Sequence, residues 1–278
     1  MVIKAPLRSA LALAGACHPE PTLAVTTLAT VLAVSAGRGI GSAWVAAAVF
    51  CGQLSVGWGN DYLDRDRDRL AGRAAKPVAS GRVDPALVRR AAWVALVLAA
   101  LLSLASGPAA TAVHLLALLM AHLYNLGLKS SPFSVVPYAV AFAQLPAFIA
   151  LGLRPPHLPP VWAVAAAGLI GAAAHFTQTL PDLELDAASG MKGLPHRLGA
   201  RGSLAAVGFL LAAGALAAAL GPIGRPPPAA LVTLGLSLAL VVAVLVEGAL
   251  RRYSAAFHLT IAAAGAAVAT FLVTGRQL

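Results

Sequence analysis

Seven of the chain's ten acidic residues fall in two short stretches. Asp61, Asp64, Asp66 and Asp68 sit within eight positions, and Asp182, Glu184 and Asp186 within five. Only Glu20, Asp84 and Glu247 lie elsewhere. At about 100° per residue of α-helix, Asp61, Asp64 and Asp68 share a sector of about 60°, and Asp66 points away. Asp182 and Asp186 are one turn apart on a common face, with Glu184 turned from it. Two helices can therefore present five carboxylates to one cavity. Carboxylates so close together repel and resist ionisation, so something positive must draw them together. Hard oxygen ligands of this kind suit Mg²⁺, which bridges carboxylates to substrate phosphates. The other reading of each cluster is a solvated charged loop.

Basic residues accompany the acids. Arg65, Arg67 and Arg69 alternate with the aspartates and read as surface ion pairs, worth little each, or as lipid-headgroup contacts. Arg73 and Lys76 follow, beside Pro77 and Gly81, where the chain can fold back and offer charge-assisted donors to a diphosphate. Lys129 and Lys192, the latter between Gly190 and Gly193, could join them, or could serve only to orient the chain in a membrane.

The elements that must carry these residues are apolar. Of 278 residues, 59% are hydrophobic and 11% charged, against about 25% charged in soluble domains. That excludes an ordinary soluble enzyme, and the apolar content excludes disorder. The two cysteines, Cys17 and Cys51, form no C-x-x-C pair and read as apolar fillers. Nine apolar runs read as membrane-spanning helices, near 21–37, 42–59, 88–106, 109–128, 133–152, 160–180, 203–221, 229–248 and 254–275. The expected fold is thus all-α, a polytopic membrane bundle of about nine transmembrane helices in a single domain over 1–278. Alternating strands of a β-barrel are absent. Alanine and glycine dominate the spans, and small residues let such helices approach closely.

With the N-terminus inside, sixteen of the 20 basic residues fall on the inner side. The outer side holds Arg38, Arg154, Arg225 and Arg276. The positive-inside rule then puts loops 60–90 and 181–202 in the cytoplasm, and we expect an integral protein of the cell membrane with its acidic clusters facing inward. The net charge of +10 follows from this bias and from anionic lipid, with no nucleic acid required. Residues 1–20 lack a cleavable signal pattern and read as an interfacial lead-in. Each acidic cluster begins where a span meets the cytoplasm, after spans two and six, which suggests two related halves. A proton or cation relay would place its carboxylates at mid-bilayer depth, not at the rim.

Asn60-Asp61-Tyr62-Leu63-Asp64-Arg65-Asp66-Arg67-Asp68 resembles the N-D-x-x-D-x-x-x-D signature of the UbiA superfamily of intramembrane prenyltransferases. Asp182-Leu183-Glu184-Leu185-Asp186 resembles its second motif, D-x-x-x-D, and Gly190-Met191-Lys192-Gly193-Leu194-Pro195 its continuation. Arg73-x-x-Lys76-Pro77 and Ser80-Gly81 resemble the R-x-x-R-P-x-x-S-G segment, with Lys in place of the second Arg. Tyr124 to Lys129 resembles the Tyr…Lys element that ends the fourth helix. Cys17-His18-Pro19-Glu20-Pro21-Thr22 departs from the Arg and Asn that many members carry there, on the acceptor side. The resemblance implies that Asp61, Asp64, Asp68, Asp182 and Asp186 hold Mg²⁺ on the diphosphate of a prenyl donor. It implies that Asn60, Arg73, Lys76, Lys129, Lys192 and the Tyr124 hydroxyl bind that diphosphate. The acceptor would be a small aromatic or lipid molecule, attacking an allylic cation in a water-poor bundle.

His114, His122 and His175 lie within spans, as do Gln144 and Gln178. They read as hydrogen-bonded packing residues, with haem ligation as the other reading, and His175 lies near the face of Asp182. His18 and His196 read as interfacial. Three other functions compete: a membrane terpene cyclase of the same fold, a transporter, and a CDP-alcohol phosphotransferase. The last expects Asp-Gly and Ala-Arg in its motif, and no such run follows Asp61 or Asp64. Nothing in the sequence specifies an oligomer.

Overall fold

The computed structural model describes residues 5–274, with side chains from Ser9 onward. Lys4, Arg276 and the side chain of Arg8, used above for orientation, lie outside the described residues, as does the last residue of the expected span 254–275. Among the described residues the fold is all-helical. In chain order the helices are α1 (Ala5–Ala16), α2 (Pro19–Ser35), α3 (Gly41–Leu70), α4 (Pro85–Ser103), α5 (Pro108–Leu126), α6 (Val135–Ala150), α7 (Val161–Thr179), α8 (Leu183–Ala188), α9 (Leu194–Leu220), α10 (Pro228–Ala249) and α11 (Tyr253–Val273). Proline opens α2, α4, α5 and α10, where its missing N–H would lack an intrahelical partner in any case. Asp84 caps α4, its carboxylate accepting the Ala86 N–H at 3.0 Å.

The loops expected over 60–90 and 181–202 are both partly helical, the second through α8 and the start of α9. The charged stretch 60–90 is not a loop from its start, because α3 runs unbroken to Leu70 and the connection shrinks to 71–84. Asp-Arg pairs three residues apart, Asp64 with Arg67 and Asp66 with Arg69, lie along the extension and favour helix there. The count of nine spans is met in part. Six segments among the described residues are long and apolar enough to cross a membrane: Pro85–Ser106, Pro108–Leu126, Val161–Ala188, Leu194–Leu220, Pro228–Ala249 and Tyr253–Val273. The expected spans 21–37, 42–59 and 133–152 correspond to α2, α3 and α6. Helix α2 has 17 residues diluted by four threonines, and α6 has 16. In α3 the apolar run is broken by Gln53 and several Gly and Ser residues.

The helices pack largely with their neighbours in sequence, and α11 returns to touch α2, α7 and α9. That contact closes the bundle around an internal cavity. Helix α4 packs against α3 and α5, and α10 against α9 and α11. Small residues set the spacing. A Cβ added at Gly171 of α7 would come within 2.5 Å of Phe142 of α6, so these two helices meet more closely than any larger residue permits. Helix α1 lies over the 71–84 connection, and Ala12, Val78, Val83 and Val88 form a small separate core with Leu13, Trp58 and Tyr62.

This packing predicts that Gly171→Val destabilises the bundle by about 1–3 kcal/mol through overpacking. The readout is the thermal midpoint in detergent. Gly235→Ala, where a Cβ meets nothing within 4 Å, leaves the midpoint unchanged or higher. Equal midpoints for the two variants would contradict the close approach of α6 and α7.

Candidate active site

The helical extension of α3 sorts its aspartates as the 100° rule requires. Asp61, Asp64 and Asp68 are buried, at 1%, 7% and 1% exposure. Asp66 faces outward and pairs with Arg65 at 3.2 Å and Arg69 at 3.8 Å. On α8 and the turn before it, Asp186 is nearly buried and Asp182 half-exposed. Glu184 is exposed, 3.9 Å from Arg251.

The 71–84 connection folds back over these carboxylates. The Arg73 guanidinium lies 3.4 Å from Asp68, 2.7 Å from Asp186 and 3.7 Å from Asp182. One side chain thus ties the two acidic segments together. Lys76 Nζ lies 3.4 Å from Asp61 Oδ1, and Asp61 Oδ2 accepts the Val78 N–H at 3.2 Å. The Lys129 ammonium pairs with Asp64 Oδ1. Asp64 Oδ2 takes Arg67 at 2.8 Å and the Asn60 amide at 3.1 Å. Asn60 also donates to Asn125 Oδ1 at 3.1 Å, and Asn125 donates to the Val56 carbonyl at 3.0 Å.

These groups stand at the polar end of a cavity of about 590 Å³. Asp64, Asp182, Asp186, Arg67, Arg73, Lys76 and Lys129 line that end, with Asn60 and His196. Asp61 and Asp68 do not line it; they are buried behind Lys76 and Arg73. Deeper walls are apolar, among them Val25, Leu28, Leu118, Leu145, Ile170 and Ala264. Val25, Leu28, Leu145 and Ile170 also line a second, wholly apolar pocket of about 60 Å³ that runs on towards Leu32 and Phe271. Between the two ends, Tyr124 packs edge-on against Tyr138 at 5.1 Å and His175 at 5.5 Å.

Several residues stand elsewhere than their sequence context suggests. Lys192 is exposed and off the cavity wall; its carbonyl accepts from Arg197 at 2.9 Å. Arg67 is not a surface pair like Arg65 and Arg69, because it turns inward onto Asp64 and to the Met191 sulfur at 3.1 Å. His18 and His196 are not merely interfacial, since both line the cavity. His196 Nε2 is 3.8 Å from Asp186, and Lys76 Nζ is 2.9 Å from His18 Nε2. Asn125 and Met191 also belong to the site. Each span histidine is bonded to a serine from elsewhere in the fold, His114 to Ser103 at 2.6 Å, His122 to Ser55 at 3.1 Å and His175 to Ser134 at 3.0 Å, and His114 and His175 also line the cavity.

The charges are balanced by burial as much as by pairing. Burial pushes the Asp68 carboxyl above its ordinary value, with Lys76 the largest opposing influence. Burial lowers Lys129, while Asp64 raises it. Burial and the Lys76 ammonium push His18 down to about 4, so it is a neutral imidazole at ordinary pH. Asp68 Oδ2 and Asp61 Oδ1 are buried without a hydrogen-bond partner. Unsatisfied carboxylate oxygens of this kind fit a hard divalent cation. The carboxylates are drawn onto the chain's own cations, and among the described residues no three metal-ligating side chains converge. The four cationic side chains on the wall fit an anion with more than one negative charge, and the apolar depth fits a hydrocarbon chain.

The model of the UbiA prenyltransferase family matches residues 5–272. The digeranylgeranylglyceryl phosphate synthase of Methanopyrus kandleri is 32% identical over 158 residues, which is 56% of either chain. The chain thus spans about half the length of that curated relative. Among solved structures, the apo form of a UbiA homologue from Aeropyrum pernix K1 superposes with a TM-score of 0.71 at 23% identity, covering 91% of this chain and 98% of that one. A UbiA homologue from Archaeoglobus fulgidus bound to DMAPP and Mg²⁺ superposes with a TM-score of 0.69 at 17% identity, covering 92% and 99%. These likenesses show the fold, and the match along nearly the whole length shows that the chain belongs to the UbiA prenyltransferase family.

Proposed function

We propose that this protein transfers an isoprenyl group from a prenyl diphosphate to an aromatic or lipid acceptor within the membrane, with Mg²⁺ as cofactor. The observation that carries the reading is Arg73, which joins two acidic helix ends at the polar mouth of a long apolar cavity. Neighbours of the same fold bound to DMAPP or GPP with Mg²⁺ support the donor and the metal. The Methanopyrus relative supports a lipid phosphate acceptor.

In this reading Asp61, Asp64, Asp68, Asp182 and Asp186 would hold the metal, Asp61 and Asp68 once Lys76 and Arg73 turn from them to the diphosphate. Bound Mg²⁺ supplies Lewis-acid stabilisation of the diphosphate as it leaves. Arg73, Lys76, Lys129 and Arg67, with Asn60 and Tyr124, bind the diphosphate and neutralise its growing charge. Lys192, exposed and off the wall, is not in this set. The donor's C–O bond breaks with its electron pair on the diphosphate and leaves an allylic cation. The apolar walls exclude the water that would trap it. The acceptor's electron pair forms the new bond, and a proton is released from the acceptor. We further propose that α2, α3 and α6 cross the membrane beside the six longer segments, giving nine spans. They pack directly against those segments. The basic bias puts the 71–84 connection and α8 on the cytoplasmic side of the cell membrane.

Purified protein given a prenyl diphosphate, Mg²⁺ and a panel of acceptors is expected to give a product heavier than the acceptor by one prenyl unit, read by mass spectrometry. A cyclic hydrocarbon or alcohol formed without acceptor would overturn transfer in favour of cyclisation. Asp182→Asn and Asp61→Asn should lower turnover at least a thousandfold, on the scale of lost preorganised electrostatics, with insertion intact. Asp66→Asn should stay within about threefold, as expected for an exposed pair. Chelation with EDTA should abolish turnover and added Mg²⁺ restore it; full activity in EDTA would refute the metal assignment.

A further inference from the structure

His18 connects α1 to α2 with φ 55 and ψ 69, a left-handed backbone that residues with a Cβ rarely adopt. The surroundings hold it there. A Cβ at Gly57 would fall 2.2 Å from the Cys17 carbonyl oxygen, so α3 runs against this corner only because that residue is glycine. The Cys17 carbonyl accepts the Thr22 hydroxyl at 2.9 Å, and Trp58 of α3 donates to the Leu13 carbonyl of α1 at 2.8 Å. The corner so fixed lines the cavity with Cys17, His18, Glu20, Pro21 and Thr22, and His18 Nε2 lies 2.9 Å from Lys76 Nζ. An ammonium group only donates hydrogen bonds, so Nε2 is the acceptor and the ring proton sits on Nδ1. Lys76 therefore contacts both an imidazole lone pair, at 2.9 Å, and Asp61, at 3.4 Å.

We propose that His18 is a positioning residue for the donor's diphosphate: its Nε2 lone pair, held by the α1–α2 corner, keeps the Lys76 ammonium at the cavity wall. The assignment rests on the prenyl-diphosphate reading of the cavity. Lys76 lies on a connection without regular helix, and Asp61 is buried behind the wall. With the imidazole gone, the ammonium is drawn toward Asp61 and away from the donor.

The test is steady-state kinetics on the full-length enzyme with Mg²⁺ and a prenyl diphosphate. His18→Ala should raise the donor KM about tenfold or more, the scale of one charge-assisted hydrogen bond, with a smaller effect on kcat. His18→Gln, whose amide oxygen can accept from Lys76, should recover most of that loss. His18→Gly suits the left-handed backbone and removes only the ring, so it should match His18→Ala in KM while keeping the wild-type thermal midpoint; it also serves if His18→Ala fails to fold. In a Lys76→Ala background, removing His18 should change KM no further. Wild-type KM in His18→Gly, or a His18→Gln as impaired as His18→Ala, would overturn the assignment. The parent reading fails separately, if Asp182→Asn turns over normally.

Discussion

The structure depends on one guanidinium reaching two acidic segments that lie more than a hundred residues apart. Arg73 contacts Asp68 of α3 and Asp182 and Asp186 at the α7–α8 end. Without a cation between them these carboxylates would repel, and burial would add a desolvation penalty to each. With it, α3 and α8 converge, and the mouth of the cavity has a defined width. Lys76 and Lys129 repeat the device for Asp61 and Asp64. Breaking one such buried pair strands the other charge, so the site holds together as a network rather than as a set of independent ion pairs.

The same network explains how a polar site survives at the end of an apolar bundle. Each acid that α3 turns inward meets a cation, from the 71–84 connection, from Lys129 just beyond α5, or from α3 itself through Arg67. The connection is held by its own small core beneath α1, which is why two cations on a segment without regular helix can face inward reliably. Below this rim the walls turn to Val, Leu, Ile and Ala. Charges placed by close hydrogen bonds act more strongly beside such low-dielectric walls than they would in water. A diphosphate at the rim and a hydrocarbon tail below it match that division.

Close helix packing gives the cavity its shape. Gly57 admits the α1–α2 corner and Gly171 admits Phe142, and α11 closes the ring by meeting α2. Transmembrane helices gain little from hydrophobic burial against one another, because lipid is equally apolar. The interfaces rest on small residues and on hydrogen bonds such as those between the three span histidines and serines.

Much of this was written in local order along the chain. The helices, their apolar character and the faces of Asp61, Asp64, Asp68 and Asp186 followed from a repeat of 3.6 residues. So did the outward turn of Asp66 and Glu184, because helical phase is set within a few residues. Span count was less legible, since α2, α3 and α6 sit near the limits of length and hydropathy that define a crossing. Tertiary structure alone decided that Arg67 turns inward while Arg65 and Arg69 do not, and that Lys192 stays outside. It alone brought His18, Asn125, Met191 and His196 to the site, and set Asp61 and Asp68 behind the cations rather than on the wall. Those outcomes depend on contacts such as Arg67 to Met191 and Lys76 to His18, between residues 124 and 58 positions apart. No local periodicity encodes such a pairing; it exists only once the bundle has closed.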